Sequence, residues 1–160
     1  MKKIIITLLL LASIPSFAQM AQQWQKQFGF PQYGGAYPWG MVMDDSSNIY
    51  NICQVVTLQP TLTTTIDPVI YKLNRNGEIV WYKNLGLDFF HEEHPMSIKI
   101  DSNNQIYFLC SINDSSRFNI HIFKFNTSGE IIWNKKIAMS DYSDRHKIEL
   151  NENGVIYTNI

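Results

Sequence analysis

The chain has 160 residues with 13 Lys+Arg against 14 Asp+Glu, a formal net charge of -1. That balance leaves little electrostatic drive toward nucleic acid or an anionic membrane surface. At 45% hydrophobic and 17% charged, with 8 Gly and 6 Pro, the sequence is too apolar for disorder and too mixed for a collagen-like or low-complexity polymer, and its size suits one domain.

The first element is not part of the fold. Met1-Lys2-Lys3 is a positive start, Ile4 to Ala12 an apolar run, and Ser16 and Ala18 place small residues three before and immediately before a cut. Residues 1–18 therefore read as a secretory signal peptide. The apolar stretch is well short of the roughly 20 residues that span a bilayer. The expectation is an exported protein, periplasmic, cell-surface or extracellular, that starts at Gln19 and carries 11 basic against 14 acidic residues.

Beyond the leader the chain is repetitive. Trp24-Gln25-Lys26 comes first. Met43-Asp44-Asp45-Ser46-Ser47-Asn48-Ile49-Tyr50 then recurs as Ile100-Asp101-Ser102-Asn103-Asn104-Gln105-Ile106-Tyr107 and as Leu150-Asn151-Glu152-Asn153-Gly154-Val155-Ile156-Tyr157. Tyr71-Lys72-Leu73-Asn74-Arg75-Asn76-Gly77-Glu78-Ile79-Val80-Trp81-Tyr82-Lys83 aligns without gaps with Phe123-Lys124-Phe125-Asn126-Thr127-Ser128-Gly129-Glu130-Ile131-Ile132-Trp133-Asn134-Lys135. The tryptophans are spaced by 57 and then 52 residues, a period of propeller blades or arrays. Within one period the signals are all β: strands over Met96 to Asp101, Gln105 to Ile112, Phe118 to Asn126 and Glu130 to Ile137, with turns at Asn103-Asn104 and Thr127-Ser128-Gly129 and a polar loop at Asn113 to Arg117. Four strands per period make one blade. Alternation places Ile79 with Trp81, and Ile131 with Trp133, on one face, so the tryptophans are expected to fill the space between blades rather than stack on a ligand.

The run Asp67-Pro68-Val69-Ile70-Tyr71-Lys72-Leu73-Asn74-x-x-Gly77-Glu78-Ile79-Val80-Trp81, with Leu85-Gly86 after it, resembles the seven-bladed β-propeller repeats of exported bacterial proteins. Its Gly-x-Ile-x-Trp core is similar to the quinoprotein-type repeat. The resemblance implies a secreted or surface protein of the Bacteroidota. The fold class expected is all-β, a partial β-propeller. A period near 52 in the 142 residues from Gln19 gives about 2.7 four-stranded antiparallel blades, with units at approximately 29–86, 87–138 and, in part, 139–160. Because closed propellers have four to eight blades, the expectation is a piece of a longer protein. Assembly with copies of itself and an open three-unit sheet are the alternatives.

Three clusters invite chemistry. His91-Glu92-Glu93-His94 has zinc-ligand residue types, but its histidines are three apart and run into Pro95, so a solvated loop between blades is the expectation. Asp44 to Asn48 and Asp101 to Asn104 resemble the start of a calcium loop without its Gly and distant Glu, and read as turns. Cys53 and Cys110, each three residues after a repeated Tyr, are expected to be buried free thiols, since equivalent positions on neighbouring blades lie too far apart to bridge. The sequence thus assigns no catalytic, cofactor-binding or metal-ligating residue and no cofactor. The function expected is a non-catalytic exported module for binding or structural interaction with a protein or glycan, without nucleic acid or a membrane span, and with self-association through open blade faces. The alternative is a part of a larger secreted propeller enzyme, quinoprotein-like or hydrolase, whose active residues lie outside this chain.

Overall fold

Two kinds of turn, each closed by its own side chains, set the pattern of the fold. In the first kind an aspartate opens the turn: the Asp44 carboxylate accepts the N–H of Ser46 at 2.9 Å and of Asn48 at 2.8 Å, and Asp101 accepts those of Asn103 and Gln105 at 2.9 Å each. Ser47 (φ 61°), Asn104 (φ 57°) and Gly154 (φ 72°) occupy the same repeat position in three successive copies, all in the left-handed region. In the second kind an asparagine opens the turn: Asn74 Oδ1 accepts from Asn76 and Glu78, and Asn126 Oδ1 from Ser128 and Glu130, with glycines at φ 74° and 84° completing each reversal. Such side-chain bonds give a short connection a fixed geometry, and glycine takes positive φ without a Cβ clash.

A computed structural model describes residues 34–58, 64–86, 93–114, 117–138, 146–151, 154 and 156–158. The turns join β1 (Gly35–Met43), β2 (Ile49–Leu58), β3 (Thr64–Leu73) and β4 (Ile79–Asn84) into one antiparallel sheet in the order β1-β2-β3-β4. A second sheet repeats this with β5 (His94–Ile100), β6 (Ile106–Asp114), β7 (Arg117–Phe125) and β8 (Ile131–Ala138). A hairpin of β9 (Ile148–Leu150) and β10 (Ile156–Thr158) begins a third unit. The fold is all-β, a partial propeller of four-stranded meanders, and no helix occurs among the described residues. The signal segment and Trp24 to Lys26 lie outside those residues.

Irregularities repeat along with the strands. β1 is bulged between Pro38 and Gly40, and β5 between Pro95 and Ser97. Both prolines sit on a sheet-edge strand at a bulge, where a missing N–H costs no ladder bond. The β3–β4 and β7–β8 ladders also shift, at Lys72/Leu73 and Lys124/Phe125. This shift breaks the alternation that would have set Ile79 beside Trp81. Ile79 and Ile131 are exposed, while Trp81 and Trp133 are half-buried and pack on the blade cores.

The main core lies between the first two sheets. Tyr50, Ile52, Ile70 and Leu85 of the first meet Ile98, Ile106, Phe108 and Phe125 of the second, with Val42 and Trp81 at the margin. A side chain on Gly40 would have its Cβ 3.4 Å from Ile98 Cγ2, so the absent side chain lets β5 approach β1 closely. On the far side of the second sheet, Ile148 of β9 is buried among Tyr107, Leu109, Ile120 and Ile122. Ile148 thus does against the second blade what Ile98 does against the first. Burying such a side chain contributes about 1.5–3 kcal/mol.

Candidate functional site

The residues that recur most faithfully in the sequence converge where one blade meets the next. Lys72 on β3 and Trp81 on β4 face each other across the ladder, so their N–H donors lie side by side. Both point at one acceptor, the main-chain carbonyl of Thr127 in the second blade's β7–β8 turn: Lys72 Nζ donates at 3.0 Å and Trp81 Nε1 at 3.2 Å. Gly129, at φ 84°, lies against the indole so closely that a Cβ there would be 2.9 Å from two ring carbons. The turn therefore needs a carbonyl for the donors and a glycine for the ring.

Behind the lysine stands a polar stack. Lys72 Nζ lies 5.2 Å from the Tyr50 ring centroid, the Tyr50 and Trp81 rings are 6.0 Å apart, and Tyr50 Oη donates to Asp44 Oδ2 at 3.0 Å. Burial, reinforced by the Asp44 carboxylate, pushes the Tyr50 phenol above its ordinary value. Burial also pushes Asp44 upward, but the hydrogen bonds from Asn48, Tyr50 and Ser46 outweigh it and hold the carboxyl below its usual value. Asp45 and Asn104 add a pair of contacts across the junction, at 3.2 and 3.3 Å.

The second junction begins in the same way. Tyr107 Oη donates to Asp101 Oδ2 at 3.0 Å, Lys124 Nζ lies 4.9 Å from the Tyr107 centroid and 4.0 Å from Asp101, and Trp133 meets Tyr107 edge-on at 6.1 Å. Lys135 Nζ stands 5.2 Å from the Trp133 ring centroid. Lys99 and Glu149 form an exposed ion pair at 3.2 Å, and Ser97 Oγ accepts the Ile148 N–H at 3.3 Å, tying β9 to the second blade. Between them opens a cavity of about 500 Å³ bounded by Asp101, Ser102, Tyr107, Lys124, Asn151 and Gly154.

No protein-family model matches this sequence, and no curated protein matches it at a significant level. The internal repeat is thus the comparison the chain itself supplies, with each junction measured against the other.

The clusters that stood out in the sequence fall elsewhere. His91 and Glu92 lie outside the described residues. Glu93, expected in a solvated loop, is instead 1% exposed, with its N–H donating to the Ile66 carbonyl at 2.9 Å. His94 is the first residue of β5, its Nδ1 3.2 Å from Gln54 Oε1 and its N–H donating to Ser111 Oγ at 3.3 Å. The strand starts earlier than expected because the Pro95 bulge is part of it. Among the described residues no three His, Cys, Asp or Glu side chains are grouped to hold a metal.

The Asp44 and Asp101 carboxylates close their own turns, as the turn reading required. Cys53 and Cys110 are buried and free. Burial pushes the Cys53 thiol up to about 12, and burial with the Glu93 carboxylate raises that of Cys110, so both stay protonated and poorly nucleophilic near neutrality. Sequence reasoning missed the lysines. Lys72 and Lys124 recur at matched positions, and that recurrence was the available signal.

Proposed function

We propose that this chain is a non-catalytic, exported propeller module whose blade faces and inter-blade loops engage a protein or glycan partner. One observation carries the reading: the polar residues that repeat are spent on joining strands and blades. Asp44 and Asp101 close turns, Asn74 and Asn126 close others, and Lys72 and Trp81 bind the neighbouring blade. Large apolar side chains on β1 are exposed, Tyr37 on one face and, beyond the bulge, the short row of Met41 and Met43 on the other, and they add support. Met41 is 70% exposed, whereas Ile98, its counterpart in the second blade, is 7% exposed against the first blade. Exposed apolar rows of this kind mark interaction surfaces.

Export rests on residues 1–18, whose charged start, apolar run and small residues before Gln19 fit a cleaved leader. Among the described residues no helix is long and apolar enough to cross a membrane. The test is to secrete the chain from a bacterial host, sequence its new amino terminus, and assay it against hydrolase and dehydrogenase substrates with divalent metals and a quinone cofactor supplied. An amino terminus at Gln19 and no turnover above the blank are expected. Turnover that follows the purified chain overturns the non-enzyme reading, and retention of Met1 overturns the cleaved leader.

A further inference from the structure

The first Asn-led turn encloses a reactive pair. Asn76 is followed by Gly77, and an asparagine amide beside glycine is open to attack by the next main-chain nitrogen, because no Cβ crowds that nitrogen. The second Asn-led turn has the same closure without the pair: Ser128 stands where the first has Asn76, and its hydroxyl, donated to Asn126 Oδ1 at 2.8 Å, offers no carbonyl carbon to attack. The fold keeps the two halves of the pair in different surroundings. Asn76 is exposed, whereas Gly77 is buried at φ 74° with its N–H donating to the Asn74 carbonyl at 2.9 Å. Asn74 holds the rest of the turn as well. Its Oδ1 accepts the N–H groups of Asn76 and Glu78 at 2.9 and 3.0 Å, its Nδ2 donates to Glu78 Oε2 at 2.7 Å, and its own N–H donates to the Glu78 carbonyl at 2.9 Å.

We infer that Asn76 is a site of spontaneous deamidation and isoaspartate formation, and that the bonds to Asn74 set its rate. The inference is independent of the interaction reading above. In the closed turn the proton that must leave Gly77 is engaged by the Asn74 carbonyl, and the nitrogen is shielded from solvent. Reaction therefore needs a local opening of the turn. Hydroxide then removes the Gly77 amide proton and the freed nitrogen attacks Asn76 Cγ. The N–Cγ bond forms, the Cγ–Nδ2 bond breaks, and Nδ2 takes a proton from water and leaves as ammonia, giving a cyclic imide. A second water opens the ring. Addition at Cγ yields aspartate, and addition at the main-chain carbonyl yields isoaspartate, whose chain runs on through Cβ and Cγ. Isoaspartate adds an atom to the main chain between Asn74 and Glu78, so the bonds that Gly77 and Glu78 make to Asn74 cannot all re-form, and the turn stays open.

The full chain from Gln19 onward and a synthetic peptide Leu73–Lys83 are incubated side by side at pH 7.5 until the peptide is exhausted. A lysine-specific protease then releases Leu73–Lys83 from the chain, apart from the other Asn-Gly pair at Asn153, and mass spectrometry with an isoaspartate-specific methyltransferase reads both products. Conversion of Asn76 is expected in the chain, about tenfold slower than in the peptide, the effect of hydrogen bonds that must first break. Asn74→Ala should raise the rate about tenfold, toward that of the peptide. Asn126→Ala removes the same closure from the second blade and should leave the rate at Asn76 unchanged. Hydrogen exchange of the Gly77 amide should rise in the first variant and not in the second. An intact chain that converts as fast as the peptide, or one in which Asn76 stays unconverted, overturns the inference. Equal acceleration by Asn74→Ala and Asn126→Ala also overturns it, since general loosening of the chain would then set the rate.

Discussion

Gly129→Ala tests the blade junction at its tightest point. Two costs add there. An L-residue held at φ 84° sits in the left-handed region, at about 1 kcal/mol. The new methyl would also come within 2.9 Å of the Trp81 ring, which is itself held by its bond to the Thr127 carbonyl, so the indole must swing away. Losing that hydrogen bond and the ring packing adds about 2 kcal/mol. The total expected is about 3 kcal/mol by urea unfolding of the chain from Gln19. Gly154→Ala is the comparison, since it has φ 72° with nothing within 4 Å of the added Cβ and should cost only the backbone part. In a Trp81→Leu background Gly129→Ala should likewise fall to about 1 kcal/mol, a coupling of about 2 kcal/mol. Coupling below about 0.5 kcal/mol would refute the claim that glycine is required by the indole.

Three further outcomes are expected. Because the Asp44 carboxyl is held below its unfolded value of 3.8, the folded state binds fewer protons there, and its contribution to stability is complete above that value and lost as pH falls through the lowered one. The difference in melting temperature between the natural chain and Asp44→Asn should therefore be flat at neutral pH and shrink below about pH 4. Cys53 and Cys110 should resist iodoacetamide at pH 7.5 and react only on unfolding, as mass spectrometry after timed labelling would show, whereas rapid native labelling of either contradicts their burial. Ser47→Gly, at an exposed turn position with φ 61°, should raise stability by about 0.5 kcal/mol, the left-handed cost relieved less the entropy of glycine, and a loss in thermal unfolding would place the strain elsewhere.

The blades were legible because their signals are local. Asn-x-x-Gly and Asp-led turns close on their own side chains, and the strands between them alternate or run apolar, so the strand order and the turn at Thr127-Ser128-Gly129 could be read directly. The bulges were not legible. A single extra residue at the start of β4 reverses side-chain parity, so Ile79 turns to solvent although alternation pairs it with Trp81. Pro38 and Pro95 mark the bulges of β1 and β5, but only a ladder shows that a proline belongs to a strand. The junction was half legible: the lysines and tryptophans recur, yet the group they bind is a backbone carbonyl, which any residue at position 127 would supply. Glu93 was misplaced because its burial comes from packing near Ile66 and Cys110, which are distant in sequence.

The most direct test of the claim that repeated residues serve to join blades is the nuclear magnetic resonance signal of Gly129 in the chain from Gln19. The account predicts an α-proton shifted strongly upfield by the Trp81 ring current, cross-relaxation between that proton and the indole, and loss of the shift in Trp81→Leu. A Gly129 α-proton at its unstructured position, with no contact to Trp81, would contradict the account.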